Sequence, residues 1–242
     1  SKLAIAGKTT IEDSAKLINS LLNAYGEDAR EALDYADILF TTVRKGTTTI
    51  PELASSLGRI GPVASSLNIS LTDVSSAIAT LTNNGATSAE AVTRLNQLLT
   101  EMRRETGRGA KTAEEYGIAW GDAAIRQTGL KGILQDLQRV LKQDESAASK
   151  LFGSVEALNA LTVLTSEDGL ASFIENLSEM EKRTGATDAA FEIMTDTMAF
   201  KTKAVLGQLR NYFEEFGDML LPSAKEWMDI LLKLLKDYEG EI

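Results

Sequence analysis

Apolar residues recur along the chain at the three- and four-residue spacings that place side chains on one face of a helix. No segment shows the sustained alternation of β-branched residues that is typical of strands. The stripe is clearest over 28–45 and 88–105. Its members are Ala29, Ala32, Leu33, Ala36, Leu39, Phe40 and Val43 in the first segment and Val92, Leu95, Leu98, Leu99 and Met102 in the second. The pattern predicts an all-α protein in which each helix has one apolar face to bury.

A short motif recurs between these helices: Gly or Asn, then Thr or Ser two residues later, then an acidic residue three positions further on. The four occurrences are Gly7, Thr9, Glu12; Gly46, Thr48 or Thr49, Glu52; Asn68, Ser70, Asp73; and Gly85, Thr87, Glu90. The Gly or Asn is expected to take the left-handed conformation that closes one helix, and the Thr or Ser to cap the next. With Gly26 and Gly107, these corners predict short antiparallel helical hairpins with helices of about four turns.

The second half of the chain continues the helical pattern. The predicted helices lie near 130–142, 146–152, 154–164 and 167–182, followed by a long one over 188–221. We expect three regions: a helical-hairpin core over 1–128, a short-helix region of the same domain over 129–186, and a long helix plus a C-terminal amphipathic helix over 187–242. Pro51 is expected to open a helix, and Gly61 with Pro62 to break it.

The last predicted helix, after Pro222, has a wide apolar face that covers an arc of roughly 200°. Such a face is rarely left to solvent. Three explanations stay open: packing within the chain, contact with a partner or a second copy, and adsorption to a membrane surface. The possible partner interface consists of Trp227, Met228, Leu231, Leu234 and Leu235.

The composition narrows the available chemistry. The 242 residues carry a formal charge of −10 and include no histidine or cysteine. Histidine-based triads, zinc sites and cysteine nucleophiles therefore lack their residues, and an acidic chain predicts no nucleic-acid partner. The carboxylates of Glu175, Glu179 and Glu181 lie on an ordinary amphipathic helix, where they are expected to be solvated. We expect no enzyme activity, no cofactor and no metal site.

Neither a membrane span nor a leader is predicted. No apolar run is close to the length of about 20 residues that a membrane-spanning helix needs. The first residues lack the basic and then apolar pattern of a signal peptide. Because the chain begins with Ser1 rather than Met, we expect it to be an internal segment of a longer protein.

The stretch "RRETGRGAKTAEEYG" (103–117) looks like a phosphate-binding loop only at first sight. A P-loop needs Gly immediately before its Lys, and here Ala110 precedes Lys111. We expect a corner instead, in which 105–107 end one helix, 108–110 connect, and 111–116 form a short helix stopped by Gly117. The basic residues Arg94, Arg103, Arg104, Arg108 and Lys111 are expected to be a solvated helix end rather than a binding patch.

With the corners placed, residues 20–109 resemble the core region of phage tail tape measure proteins of the TP901 type. The resemblance is carried by "LLNAYG" (21–26), "ADILFTTVRKGTTTIPELASSLGRIGPVASSLNISLTDVSSAIATLTNNG" (36–85) and "TSAEAVTRLNQLLTEM" (87–102). Four later segments are similar in order and spacing: "KTAEEYGI" (111–118), "GLKGILQDLQRVL" (129–141), "KLFGSVEALNALTVL" (150–164) and "FGDMLLPSAKEWMDILLKLL" (216–235). No single motif is diagnostic, but the ordered combination is specific and covers most of the chain.

The resemblance implies a large, mostly helical protein of the virion, made in the host cytoplasm. Such a protein occupies the lumen of the tail tube, sets tail length and leaves ahead of DNA at infection. The implied partners are tail tube, tail-tip and tail assembly chaperone proteins, with self-association and membrane contact at infection as further possibilities.

A ruler needs a fixed rise of about 1.5 Å per residue, which a chain broken by frequent corners cannot supply while folded. We therefore expect a compact docking or initiation domain, or one whose hairpins unfold during packing. The alternatives are a membrane-active helical module that rearranges on the host envelope and, as the weakest, an enzyme that uses carboxylates on cell-wall polymer.

Overall fold

The computed structural model describes residues 2–196, with side chains described through residue 194. The residues up to Phe191 form one compact unit, and a second unit begins at Glu192. Most of the predicted long helix and the whole predicted C-terminal helix lie outside the described residues.

The described residues are helical throughout and contain no strand, which confirms the all-α prediction. The α-helices are α1 (Lys2–Ala6), α2 (Ile11–Tyr25), α3 (Ala32–Lys45), α4 (Ile50–Ser56), α5 (Gly61–Ser66), α6 (Leu71–Asn83), α7 (Ser88–Met102), α8 (Arg108–Tyr116), α9 (Asp122–Gln143), α10 (Ala147–Leu151), α11 (Val155–Thr165), α12 (Glu167–Glu181) and α13 (Ala186–Asp196). Two short 3₁₀ turns, Ala29–Glu31 and Leu57–Arg59, precede α3 and follow α4.

Helix α6 is the centre of the fold. It contacts α3, α7, α11 and α12, and α11 also packs along α7. Its buried residues occupy every face: Leu71, Val74, Ser75, Ser76, Ala77, Ile78, Ala79, Thr80, Leu81 and Thr82. The small side chains let four neighbours approach, and the hydroxyls of Ser76 and Thr80 donate to carbonyls one turn earlier on α6 itself. The helices α2, α4 and α5 pack beside this centre, and α8 packs on α10.

Three of the four predicted caps form as expected. Thr49 with Glu52 and Thr87 with Glu90 make reciprocal capping boxes, and the Ser70 side chain accepts from the Asp73 amide. The fourth is wrong by one residue. Thr10 rather than Thr9 caps α2 and accepts from the Asp13 amide, because the turn after α1 includes Lys8 at φ +51° and so delays the next helix.

The corner residues differ in conformation. Gly26, Gly85 and Asn68 have positive φ, as the motif predicts. At the first corner the prediction for Gly7 is wrong, because Lys8 rather than Gly7 has positive φ. The prediction for Gly46 is also wrong, because its φ is −111°. A Cβ atom built there would lie 2.9 Å from Ala79 Cα on α6 and 2.9 Å from Thr82 Oγ1. Glycine at position 46 therefore permits a close approach of two helices rather than a left-handed turn.

The two predicted apolar stripes have different outcomes. All five stripe residues of α7 are buried, as predicted. On α3, the prediction is wrong for two members of the stripe. Ala29 is exposed and lies in the 3₁₀ turn before the helix, and Leu33 is 72% exposed. The contacts of α3 with α6, α2 and α12 centre its buried face on Tyr35, Ile38 and Leu39, so the first turn lies beyond that core.

The later helices lie close to their predicted positions. Helix α9 begins earlier than expected, but non-helical dihedral angles at Gly129 divide it, and its second part corresponds to the predicted helix at 130–142. The helices α10, α11 and α12 match the next three predictions within a few residues. Pro51 lies in the first turn of α4, and α5 begins at Gly61 with Pro62, as the sequence predicts.

Candidate functional site

The predicted partner interface at the C-terminal end lies outside the described residues and stays a prediction. Within residues 2–191, the surface with the most distinctive geometry is the junction of α7, α8, α9 and α10. We name the surface formed by residues 101–110, 118–124 and 151–154 the Trp120 corner. The sequence predicts a turn in this part of the chain but gives it no function.

Arg103 joins the end of α7 to the start of α9. Its Nε and Nη2 atoms each lie 3.0 Å from a carboxylate oxygen of Asp122, in a two-pronged ion pair. This hydrogen bonding lowers the pKa of the Asp122 carboxyl. The amide of Gly121 also donates to the Met102 carbonyl at 2.9 Å. The segment between α7 and α9, which includes α8, is therefore a loop whose two ends are joined by these contacts.

Two other members of the predicted basic group have partners within the chain. Arg108 donates to the Ser149 carbonyl at 2.9 Å, and Arg94 lies 3.7 Å from Glu90 on the same helix. The expected connector at 108–110 is a correction, because Arg108 begins α8 and the actual connector is 103–107. Gly117 has φ +64° and closes α8, as predicted.

Glu101, near the end of α7, holds the start of α11. Its carboxylate oxygens accept from the Gly153 amide at 2.7 Å and from the Ser154 amide at 3.0 Å. Burial raises the pKa of the Glu101 carboxyl, but the hydrogen bonds from Ser154 and Gly153 outweigh it and leave the pKa below its ordinary value. A negative charge at the N-terminal end of a helix is favourable, so this contact fixes α7 against α11.

Trp120 is held by contacts on both its edge and its face. The indole Nε1–H donates to the Arg104 carbonyl at 2.9 Å, and the ring centroid lies 5.4 Å from that of the buried Phe152. Gly109 makes room for it: a Cβ at that position would lie 3.0 Å from Trp120 Cζ2 and 2.5 Å from the Leu151 carbonyl oxygen. The half-buried ring is therefore fixed in place.

The surface is concave on both sides of Trp120. One depression, of about 180 Å³, is lined by Arg104, Arg108 and Glu101 together with backbone of the 106–110 segment. The other, of about 380 Å³, is mainly apolar and carries two carboxylates. Its lining residues are Glu105, Ala110, Glu114, Ile118, Ala119, Trp120, Ala123 and Ala124.

The arrangement suits contact with another chain. Between residues 2 and 196, no group of three or more Asp, Glu, His or Cys side chains is placed to hold a metal ion. None of the described helices is both long and apolar enough to cross a membrane. What the Trp120 corner does present is a fixed aromatic ring with charged residues around it, which is typical of protein interfaces. The sequence feature that could have indicated this surface is Trp120, one of two tryptophans in the chain, next to Gly121.

Comparison with protein families identifies the class of this chain. Residues 1–153, well over half of the 242, match the family described as phage-related minor tail protein. The chain belongs to that family. The part of the chain that matches includes α1 to α10 and nearly all of the Trp120 corner.

Three relatives of the chain are described as tape measure proteins or probable tape measure proteins. It is 28% identical over 93% of its length to a probable tape measure protein of Clostridium phage phiCD119. It is 22% identical over 98% of its length to the tape measure protein of Pneumococcus phage Dp-1, and 21% identical over 84% to a probable tape measure protein of Escherichia phage P2. The chain spans about a quarter of the length of each relative. No solved structure matches it.

These findings confirm the expected likeness to phage tail tape measure proteins and a structural role in a phage tail. They also place the chain in a component of the virion tail. The assignment to the TP901 type stays a prediction.

Proposed function

We propose that residues 2–191 are a compact docking or initiation domain of a tape measure protein, and that the measuring part lies elsewhere in the full-length protein. The burial of α6 on every face among α3, α7, α11 and α12 supports this proposal. As one continuous helix, a segment of this length would extend about 285 Å, whereas a globular domain of the same size has a radius of gyration of about 16 Å. A domain this compact contributes almost no length to a ruler.

We further propose that the full-length protein occupies the lumen of the tail tube, sets tail length without catalysing a reaction, and is released at infection. Its partners in this proposal are tail tube, tail-tip and tail assembly chaperone proteins. The descriptions of the three relatives support this role. The membrane-active alternative depended on rearrangement of the last predicted helix and of the hairpins rich in alanine and glycine, and no feature of the described residues favours it.

One substitution distinguishes a docking domain from a ruler segment, because it disrupts folding without changing the length of the chain. Ala79 is fully buried in the middle of α6, and Ala79→Asp places an unpaired charge in the core. Ala89→Asp makes the same chemical change at an exposed position in the first turn of α7, where an acidic residue is tolerated. The second variant is therefore the matched control.

The test is electron microscopy of particles assembled with each variant of the full-length protein. A docking domain predicts that Ala79→Asp abolishes tails and Ala89→Asp leaves them normal. A ruler segment predicts normal tails for both, and that result would refute the proposal. Deletion of 47–84 gives a second readout: a ruler predicts tails shortened by about 57 Å, at 1.5 Å per residue, and a docking domain predicts no tails.

A further inference from the structure

The larger depression of the Trp120 corner is an apolar groove with an acidic rim. Its walls come from α8, the segments directly before and after it, and the start of α9. The apolar side chains are Trp120, Ile118 and four alanines, and among the residues that the structure describes, the charged ones that line the groove are Glu105 and Glu114. With a volume of about 380 Å³, it has room for a few side chains of another polypeptide.

The aromatic ring of this groove is already ordered. Trp120 is held by its hydrogen bond to the Arg104 carbonyl and by its contact with Phe152. The next residue, Gly121, is held at the end of α7 by the hydrogen bond from its amide to the Met102 carbonyl. A partner therefore loses no free energy to ordering this side chain. Tryptophans fixed in this way are common energetic centres of protein interfaces.

The two carboxylates of the groove are exposed. Among the described residues, neither Glu105 nor Glu114 makes a side-chain hydrogen bond or an ion pair. Three of the neighbouring cations are directed elsewhere: Arg103 pairs with Asp122, and Arg104 and Arg108 line the depression on the other side of Trp120. The groove therefore presents an apolar floor and a negative rim.

We propose that this groove binds a short cationic amphipathic segment of another tail protein. Its apolar side chains lie against Trp120 and the alanines, and a lysine or arginine pairs with Glu105 or Glu114. A second copy of the chain fits less well, because a formal charge of −10 disfavours self-association at an acidic rim. This inference rests on the proposed docking function and names the chemistry of the partner.

The direct test uses a synthetic amphipathic peptide of leucine and lysine, about five helical turns long, and a counterpart in which glutamate replaces lysine. The probe is the indole N–H signal of Trp120 in a ¹H–¹⁵N spectrum of the whole chain. The chain has two tryptophans, so the loss of one signal in Trp120→Phe assigns it. We expect the lysine peptide to shift this signal and the glutamate peptide to leave it unchanged.

Charge reversal tests the rim. Glu105→Lys combined with Glu114→Lys is expected to weaken binding of the lysine peptide about tenfold or more, since rim charges of like sign repel. The matched control is Glu27→Lys combined with Glu31→Lys, two exposed glutamates near the start of α3 that do not line the groove. Circular dichroism checks that both double variants remain folded.

The outcomes are distinct from those of the docking test. Equal binding of both peptides, binding of neither, or equal loss in both double variants would overturn the groove assignment. In assembled particles, we expect the Glu105 and Glu114 double variant to lose tails and the control to keep them. Normal tails with the groove variant, alongside lost tails with Ala79→Asp, would reject the groove and leave the docking function standing.

Discussion

The Asp37 carboxylate on α3 accepts a hydrogen bond at 2.8 Å from the backbone amide of Thr187, 150 residues further along the chain. Its second oxygen accepts from the Gly185 amide at 2.7 Å. Asp37 is only 7% exposed, and it satisfies amides at the start of α13 that have no partner within that helix. Arg183 strengthens the junction by pairing with Asp34 at 2.5 Å. The start of α13 is thus held by the N-terminal half of the domain.

Removal of the Asp37 carboxylate is expected to destabilise the domain. Asp37→Ala leaves two amides without acceptors, and we expect the free energy of unfolding to fall by about 2–3 kcal/mol. Urea denaturation of the chain measures this change. Asp168→Ala, at an exposed first-turn position of α12, is the control, with an expected loss of about 0.5 kcal/mol or less. Similar losses in the two variants would show that the Asp37 contacts contribute little.

The two kinds of corner glycine should respond differently to substitution. Gly46→Ala introduces a Cβ against Ala79 and Thr82, and we expect a loss of about 1–3 kcal/mol from overpacking. Gly85 has φ +89° and open space around it, so Gly85→Ala is expected to cost roughly 1–2 kcal/mol through backbone strain alone.

Asparagine separates the two causes, because it tolerates positive φ but is larger than alanine. Gly85→Asn is expected to be milder than Gly85→Ala, and Gly46→Asn to be worse than Gly46→Ala. Thermal unfolding of the four variants checks the order. If Gly46→Asn were as mild as Gly85→Asn, close packing at position 46 would not be the reason for glycine there.

Glu101 is expected to make the free energy of unfolding depend on pH. Because its pKa in the folded chain lies below the ordinary 4.5, the carboxylate stabilises the fold above pH 4.5, and this contribution is lost as the pH falls through the folded pKa. Glu101→Gln is expected to lower the free energy of unfolding by about 1–2 kcal/mol at pH 7 and by less in acid.

Urea denaturation at pH 7 and at pH 3 measures the two differences. Glu156→Gln, at an exposed position in the first turn of α11, is the matched control. The expectation is that only the Glu101 difference shrinks clearly in acid. A difference that stayed constant with pH would mean that the charge of Glu101 is not what holds Gly153 and Ser154.

The helix caps could be predicted because each one forms between residues that are close in sequence. Thr49, Ser70 and Thr87 each accept from an amide three residues later, so the sequence around each cap contains both partners. Leu33 shows the limit of a periodic pattern. Its spacing fits the stripe, but exposure depends on which neighbours reach the first turn of α3, and those neighbours are distant in sequence.

The Trp120 corner could not be predicted, because it too forms from residues that are distant in sequence. Its geometry depends on contacts between α7 and residues near 121, and between α7 and residues near 153. The sequence identified the role of Gly117, which ends α8, but not the role of Gly109, which permits the close approach of Trp120 and Leu151.

The sequence by itself determined the helical class, most helix positions, three of the four caps and the likeness to tape measure proteins. Those properties depend on propensities, capping pairs and apolar spacing within about one or two turns of chain, which a linear pattern records. Only the tertiary structure decided that α6 is buried on every face, that Gly46 admits a neighbouring helix, and that Trp120 lies between two depressions. Each of these requires atoms from segments far apart in the chain to meet, because burial and close packing are properties of the assembled helices.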